Sequence, residues 1–204
     1  MRRNALDNTA LRDRLQGLNI YLVGLMGVGK TTVGQEIATQ LGYRFLDTDA
    51  LVEQAAGQSI ADLFATVGEA EFRNLETQVL AQVCAYTRLA IATGGGIVGR
   101  PLNWSYLRHG VVVWLDVPIE VLVARLQADT TRPLLQGTDL AAKLQSLWTE
   151  RQPLYAQADV RIGYTPGDTP ERLTQTVLDQ IQGILKPPPP TAAELVLGQE
   201  RDRN

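Results

Sequence analysis

Cysteine and histidine are almost absent from this sequence, which contains one of each among its 204 residues. The single cysteine, Cys84, excludes an intramolecular disulfide and any metal site built from several cysteines, and it favours a reducing compartment. The single histidine, His109, precedes a glycine and an apolar run, a context that favours a surface turn over chemistry. Catalytic triads and metal sites that depend on histidine are therefore disfavoured.

The sequence also lacks long hydrophobic runs and a large net charge. Its longest apolar run, residues 111–115, is far shorter than the ~20 residues of a membrane-spanning helix. Lys and Arg number 19 against 22 Asp and Glu, and the formal net charge of −3 gives no electrostatic reason to expect nucleic acid or an anionic membrane as partner. The N-terminus has no apolar stretch typical of a secretory signal. We therefore expect a cytoplasmic monomer that acts on small molecules.

The length of the chain fits one domain with flanking segments. Residues 1–17 are polar and charged, with leucines at helical spacing, and we interpret them as an N-terminal extension that forms a short helix. Four consecutive prolines open residues 187–204, which we interpret as a tail outside the core. This tail is predicted to be disordered, with a partner-binding motif as the less favoured alternative. The domain itself is expected to span residues 18–186.

Short runs with strand character alternate with helical patterns between these two ends. Five runs predict strands, at residues 20–23, 44–46, 89–92, 111–115 and 160–162. Strands separated by helices predict an α/β fold, in which a parallel sheet carries helices on both faces. Ligands of such sheets bind beyond the carboxyl ends of the strands. Eight of the 18 glycines fall in two windows directly after predicted strands, residues 24–34 and 94–99.

The first glycine window carries a phosphate-binding motif. Residues 24–31 read GLMGVGKT, a complete match to GxxxxGK[ST], between a predicted strand and a helix that runs to about Leu41. Backbone N–H groups of such a loop converge on phosphate oxygens, and the N-terminus of the helix adds positive potential. Lys30 is expected to reach the β- and γ-phosphates, and the Thr31 hydroxyl is expected to coordinate Mg²⁺. The predicted nucleotide-binding residues of this loop are Gly27, Val28, Gly29, Lys30, Thr31 and Thr32.

A phosphate-binding loop predicts a nucleotide but not a reaction, so a switch, a hydrolase and a kinase have to be distinguished. The sequence has neither the Asn-Lys-x-Asp motif that reads guanine nor the Asp-x-x-Gly switch of a regulatory GTPase. Transfer of a phosphoryl group to a small molecule would require a carboxylate that activates a hydroxyl group. It would also require an acceptor pocket and a mobile cover that excludes water.

Candidate acceptor residues follow the second and third predicted strands. In FLDTD, Asp47 and Asp49 would point to the same side if the extended conformation continued, which suits contact with metal-bound water and proton acceptance. The alternative is that both acids merely cap the helix from Ala50 onward. Arg73 ends the segment GEAEFR on a mainly acidic helix face. The three glycines of LAIATGGG permit close approach of a ligand to the backbone, although a tight turn would use them equally.

Together these segments resemble the shikimate kinase family. FLDTD, the Gly-Glu-x-x-Phe-Arg run, TGGG, TRPLL at residues 131–135 and ERQPLY at residues 150–155 follow the phosphate loop in the order of that family. The resemblance covers about residues 18–175 and implies a three-layer P-loop kinase fold, with a five-stranded parallel sheet of order 2-3-1-4-5 and a lid. It also implies transfer of the γ-phosphoryl group of ATP to the 3-hydroxyl group of shikimate, in aromatic amino acid biosynthesis.

The resemblance implies roles for particular residues of the acceptor site. Asp49 would contact the ring hydroxyl groups of shikimate and act as the base, and Asp47 would lie near Mg²⁺ through water. Arg73 and Arg151 would bind the carboxylate, since a planar guanidinium offers paired donors that a carboxylate accepts. Backbone contacts with the substrate would come from Gly95 and Gly96.

The resemblance also implies that later segments complete the nucleotide site. The lid would span about residues 126–138 and bring Arg132 to the transferring phosphoryl group, whose charge a guanidinium stabilises while the closed lid excludes water. Arg125 would stack on adenine, and Pro170 would mark the end of the adenine loop. The sequence departs from the family after the last predicted strand, where Gly163 replaces the usual Asp.

Two other functions stay open from the sequence. Another small-molecule kinase would share the loop and the sheet, but the paired arginines restrict its acceptor to a carboxylate. A non-catalytic binding protein would keep the scaffold alone, and the intact catalytic set argues against it. Measuring ADP release with and without shikimate distinguishes both from a shikimate kinase.

Overall fold

The computed structural model describes residues 2–127 and 139–186, with side chains from residue 8 onward in these ranges. The strands are β1 Asn19–Val23, β2 Arg44–Asp47, β3 Leu89–Ala92, β4 Gly110–Asp116 and β5 Val160–Gly163. The α-helices are α1 Arg2–Leu15, α2 Lys30–Leu41, α3 Thr48–Ala56, α4 Ile60–Thr66, α5 Gly68–Val83, α6 Pro101–Leu107, α7 Ile119–Gln127, α8 Leu140–Tyr155 and α9 Pro170–Ile184, and a 3₁₀ helix covers Ile97–Gly99. None of these helices is long and apolar enough to cross a membrane.

The five strands form one parallel sheet in the order β2-β3-β1-β4-β5, which confirms the α/β fold and the strand order implied by the family pattern. Strand β1 lies at the centre, where Ile20 pairs with Ala90 of β3 on one side and with Val111 of β4 on the other. Strands β1 and β3 are buried along their whole length, as expected for central strands covered on both faces. Each predicted strand lies within the observed one, which extends it by at most one residue at either end.

Helix α1 packs on the core formed by the sheet and its helices. Leu11 and Leu15 are 2% and 0% exposed and belong to that core. The helix ends at Leu15 because Gln16 and Gly17 adopt positive φ angles of 50° and 87°. Leu18 therefore falls outside the helical periodicity and is 40% exposed. Helix α1, which the sequence predicted as an extension ahead of the domain, thus contributes side chains to the core of the domain.

Parallel strands place their carboxyl ends at one edge of the sheet, and the predicted motifs meet at that edge. The phosphate-binding loop follows β1, Asp47 is the last residue of β2, and the glycine triplet follows β3. This edge is where ligands of doubly wound sheets bind. The topology alone therefore brings the nucleotide motif and the candidate acceptor residues together.

Two predicted segments lie wholly or mostly outside the described residues. The predicted tail, residues 187–204, does so entirely. The predicted lid does so over residues 128–138, which include Arg132. The roles assigned to the lid and to the tail stay predictions.

Candidate active site

The phosphate-binding loop connects the buried strand β1 to helix α2. Its glycines Gly24, Gly27 and Gly29 have φ angles of 139°, 79° and 100°, which residues with side chains rarely adopt. A Cβ atom at Gly24 would also lie 2.6 Å from the carbonyl oxygen of Leu115 in β4. Gly29 is the N-cap of α2 and has no side chain with which to cap it, so this residue leaves the first N–H groups of the helix available to a phosphate group. The loop has the conformation of an anion-binding site.

Lys30 is the first residue of α2, and its side chain folds back over the loop. The Nζ atom donates hydrogen bonds to the carbonyl oxygens of Gly24 at 2.9 Å and Leu25 at 2.8 Å. An ammonium group carries three donors, so it can exchange these carbonyl groups for phosphate oxygens when a nucleotide binds. This is the position from which the predicted contact with the β- and γ-phosphates would be made.

Thr31 and Asp47 bring two oxygen ligands together beside the loop. The Thr31 hydroxyl donates to Oδ2 of Asp47 at 2.9 Å, and Oδ1 of Asp47 accepts from the N–H of Asp49 at 3.0 Å. Asp47 therefore caps α3, which begins at Thr48 and not at Ala50, and its predicted place near Mg²⁺ stays a prediction. The same-side placement of Asp47 and Asp49 depended on an extended conformation as far as Asp49, and this condition is not met, because the capped helix already begins at Thr48.

Asp49 lies in the first turn of α3 and faces the glycine turn that follows β3. A Cβ atom at Gly94 would lie 2.6 Å from Oδ1 of Asp49 and 2.5 Å from Oε1 of Glu76. Only glycine lets both carboxylates approach this backbone so closely. Thr48 is fully buried and fixes the same turn by accepting a hydrogen bond from the Gly94 N–H at 3.0 Å. Both carboxylates thus contact the glycine turn 94–96 at Gly94.

Arg73 projects from α5 toward the same glycine turn. Its guanidinium donates to the carboxylates of Glu76 at 2.9 Å and Glu69 at 3.2 Å, and a Cβ atom at Gly96 would overlap it. Burial by itself lowers the pKa of Arg73, but the charges and hydrogen bonds of Glu76 and Glu69 outweigh burial and raise the pKa above its usual value. The guanidinium beside the glycine turn therefore stays charged.

Glu76 is a site residue that the sequence interpretation missed. Its side chain is 1% exposed, and Oε1 accepts no hydrogen bond within the described residues. Burial raises the pKa of Glu76, Arg73 opposes the rise, and repulsion from Asp49 adds to it. The signal that was available is spacing, because Glu76 lies three residues after Arg73 and so on the same helix face.

Arg151 and Tyr155 lie one turn apart on α8 and share a single acceptor. Arg151 donates to the carbonyl oxygen of Gly95 at 3.1 Å, and the Tyr155 hydroxyl donates to the same oxygen at 2.6 Å. Gly95 also borders the phosphate loop, since a Cβ atom there would lie 3.5 Å from both Gly24 O and Met26 N. Helix α8 is therefore hydrogen-bonded to the glycine turn at Gly95, the residue that borders the phosphate loop.

The phosphate loop, the carboxylates of Asp49 and Glu76 and the guanidinium groups of Arg73 and Arg151 thus meet at one glycine turn. The family pattern implies each of these groups except Glu76. A family model described as "Shikimate kinase" matches residues 26–182 of this chain. The chain belongs to the shikimate kinase family. The resemblance inferred from the motifs is therefore confirmed.

Individual shikimate kinases are similar to this chain over most of its length. A shikimate kinase of Nostoc sp. is 58% identical over 172 residues, which are 84% of this chain and 95% of the relative. One of Microcystis aeruginosa is 51% identical over 181 residues, which are 89% and 95% of the two chains. A solved structure of the shikimate kinase from Acinetobacter baumannii in complex with shikimate has a TM-score of 0.80 and 39% identity, and the match covers 86% of this chain and 99% of that one.

Arg125, to which the family pattern assigns adenine, lies in the last turn of α7. Its guanidinium donates to the carbonyl oxygen of Gly27 at 3.3 Å and lies 5.0 Å from the ring centroid of Tyr164. Tyr164 directly follows Gly163, where this sequence departs from the family, and Pro170 is the first residue of α9. Tyr164 is thus an aromatic neighbour of the nucleotide loop that the motifs did not predict.

The chain offers two oxygen groups beside the phosphate loop that could serve as ligands for Mg²⁺. Within residues 2–127 and 139–186, no group of three or more His, Cys, Asp or Glu side chains is arranged to hold a metal ion. The Thr31 hydroxyl and the Asp47 carboxylate, 2.9 Å apart, are nevertheless the hard oxygen ligands that Mg²⁺ prefers. Since Mg²⁺ commonly keeps several waters and shares phosphate ligands, this donor set fits an ion held jointly by the chain and a nucleotide.

Proposed function

We propose that the shikimate kinase reaction, transfer of the γ-phosphoryl group of ATP to the 3-hydroxyl group of shikimate, takes place across the glycine turn 94–96. One observation carries this proposal. The three glycines contact in succession the Asp49 carboxylate, the phosphate loop and the Arg73 guanidinium. A hydroxyl group bound at Asp49 would therefore lie beside a phosphoryl group held at Lys30.

Arg73 and Arg151 bind the carboxylate of shikimate in this proposal. Both side chains contact the glycine turn, Arg151 through the Gly95 carbonyl group and Arg73 through the close approach to Gly96. Hydrogen bonds between a guanidinium and a carboxylate are about twice as strong as neutral ones. An acceptor without the carboxylate would make none of these charge-assisted hydrogen bonds, which accounts for discrimination against it.

Asp49 orients the ring hydroxyl groups and accepts the proton of the attacking 3-hydroxyl group. Lys30 stabilises the charge that moves between the β- and γ-phosphates during transfer. Electrostatic stabilisation of this kind requires donors that are already in place, and the two carbonyl hydrogen bonds of Lys30 hold its side chain at the loop. Arg132 would add a further positive charge from the lid.

Thr31 and Asp47 hold Mg²⁺ in this proposal, with Asp47 acting through a water molecule. The bound ion supplies neutralisation of charge on the phosphate oxygens. The backbone of the loop and the Thr32 side chain contact the phosphates, and adenine lies beside Arg125 with Pro170 at the end of its loop. The remaining nucleotide contacts come from Gly27, Val28 and Gly29.

In this proposal the protein is a cytoplasmic monomer that acts on small molecules and not on nucleic acid or membranes. The formal net charge of −3 gives no cationic surface excess for polyanions. A single cysteine suits a reducing compartment.

The assignment of the two acids is tested with Asp49→Asn and Asp47→Asn. Asp49→Asn preserves the shape of the side chain but removes its ability to accept a proton, so kcat should fall by about 10²- to 10⁴-fold while ATP binding changes little. Asp47→Asn should lose activity through weaker metal binding, and raised Mg²⁺ should partly restore it. The measurement is ADP release with and without shikimate over a range of Mg²⁺ concentrations.

Added metal cannot replace a proton acceptor, so raised Mg²⁺ should leave Asp49→Asn inactive. Rescue of Asp49→Asn by Mg²⁺, or an Asp49→Asn variant that keeps most of its kcat, would show that the two roles are wrongly assigned. A wild-type protein whose ADP release is not stimulated by shikimate would refute the proposed function itself.

A further inference from the structure

Side chains from outside the turn hold the glycine turn 94–96 in place. The Thr93 hydroxyl donates to a carbonyl oxygen of β1 at 2.8 Å, and the Thr48 hydroxyl accepts from the Gly94 N–H at 3.0 Å. The third attachment is the carbonyl oxygen of Gly95, which accepts hydrogen bonds from two side chains of α8. The position of the acceptor backbone therefore depends partly on side chains, those of Thr48, Thr93 and Tyr155, to which no contact with substrate has been assigned.

Tyr155 makes the shorter of the two hydrogen bonds to Gly95, at 2.6 Å against 3.1 Å for Arg151. The side chain of Tyr155 is fully buried, and its ring stacks on Trp114 with centroids 5.9 Å apart. Burial raises the pKa of Tyr155 to about 12, and Arg151 offsets only part of this rise. The phenol therefore remains a hydrogen-bond donor throughout the neutral pH range.

We propose that Tyr155 is a positioning residue for the acceptor site, an inference that rests on the proposed roles of Gly96 and Arg151. The carbonyl group of Gly95 and the N–H group of Gly96 belong to one planar trans peptide unit and point in opposite directions. A hydrogen bond that fixes the carbonyl oxygen therefore also fixes the N–H group that would meet shikimate. The same oxygen holds Arg151, so Tyr155 sets the acceptor backbone and the carboxylate-binding guanidinium together.

The hydroxyl group and the ring of Tyr155 have separable roles. Burial and stacking on Trp114 need only the ring, which phenylalanine would supply at nearly the same volume. The hydroxyl group contacts the acceptor turn. Tyr155→Phe therefore removes the proposed positioning contact and leaves the packing in place.

The test compares wild type with Tyr155→Phe and with the control Tyr21→Phe. Tyr21 is also fully buried, but its ring lies beside Gly110 at the amino end of β4, and its hydroxyl accepts a long hydrogen bond of 3.5 Å from Asn19. In Tyr155→Phe the KM for shikimate should rise roughly 3- to 10-fold, as for the loss of one hydrogen bond. The KM for ATP should not change, and Tyr21→Phe should change neither KM.

Three outcomes would overturn the inference. The first is a folded Tyr155→Phe variant with an unchanged KM for shikimate, and the second is an equal rise in both KM values. The third is an unfolded Tyr155→Phe variant beside a folded Tyr21→Phe variant, because the hydroxyl would then hold the whole fold. If wild type responds to shikimate and Tyr155→Phe does not differ from it, this inference alone fails. If wild type does not respond, the proposed function fails with it.

Discussion

Glu76 shows how burial and charge compete in a single side chain. It is 1% exposed and lies 2.9 Å from the Arg73 guanidinium, which favours a charged carboxylate. Its pKa is raised all the same, because the loss of hydration on burial, assisted by Asp49, exceeds the attraction of Arg73. Holding this carboxylate beside Asp49 therefore costs folding free energy, as is common where acidic groups are gathered for function.

The pH dependence of stability should report this competition. A raised pKa in the folded state means that the native protein binds more protons than the unfolded chain. The stability that Glu76 contributes is therefore fully present below its unfolded pKa, ordinarily 4.5, and is lost as pH rises through the higher folded pKa. We predict that the stability advantage of wild type over Glu76→Gln shrinks as pH rises from about 4 to about 7.

Denaturant unfolding of both proteins across this pH range provides the measurement. Glu71→Gln is the matched control, since Glu71 is an exposed glutamate on the same helix, and its difference from wild type should vary less with pH. An advantage of wild type over Glu76→Gln that grew with pH would contradict the direction of the pKa shift.

At the scale of the elements, the central pairing of β1 with β4 depends on a glycine. Gly110 is the first residue of β4 and pairs with Asn19. A Cβ atom at Gly110 would overlap the carbonyl oxygen of Asn19 and lie 2.8 Å from the ring of Tyr21. Backbone atoms of a central strand cannot move aside as a flexible side chain end would, so the pair has no room for a methyl group.

Gly110→Ala should therefore destabilise the protein by about 1 to 3 kcal/mol, the usual cost of overpacking. Gly163→Ala is the matched control, because Gly163 is also a terminal strand residue but no atom of the described residues lies within 4 Å of the position of its Cβ. That variant should be neutral or gain up to about 1 kcal/mol from reduced chain entropy. Chemical denaturation measures both, and equal effects would contradict the steric argument.

The strands were predictable from the sequence, whereas the start of α3 was not. Strands β1, β3 and β4 are short runs rich in aliphatic residues and are bounded by polar or glycine-containing segments, so local pattern suffices for them. In FLDTD two local signals compete, continued extension after β2 and capping by Asp47, and the sequence alone did not decide between them. The capping hydrogen bond to the Asp49 N–H decided it. The strand order came from the family pattern, because pairing between distant strands leaves no local signal.

The same limit applies to the site. Lys30 and Thr31 were predicted because the spacing of the phosphate-loop motif carries their chemistry, and Arg73 was predicted from the resemblance to the family. Glu76 and Tyr155 were missed as site residues because their importance arises from contacts with the glycine turn, 18 and 60 residues away in sequence. Residues that act through tertiary contacts become visible only when the turn and the helices are seen together.

At the scale of the whole molecule, the N-terminal helix is part of the packed structure. Leu11, Leu15 and Leu18 follow one another at helical spacing, and the sequence alone does not distinguish the buried ones from the exposed one. Leu11 and Leu15 are buried in the core, whereas Leu18 is 40% exposed beyond the residues that end the helix. The packed fold therefore includes α1, which precedes the domain predicted to begin at residue 18.

Leu15→Ala and Leu18→Ala make the same chemical change three residues apart and should have different effects. Leu15 is 0% exposed, so truncation should cost about 2 to 5 kcal/mol through lost burial and the cavity left behind. Leu18→Ala should cost less than about 1 kcal/mol, because this side chain keeps much of its contact with water in the folded state. Neither leucine borders the glycine turn or the phosphate loop, so below the unfolding transition both variants should keep the wild-type KM for ATP and shikimate. Denaturant unfolding with steady-state kinetics checks both statements. A Leu15→Ala variant as stable as Leu18→Ala would mean that α1 does not contribute to the core and that residues 1–17 are an extension after all.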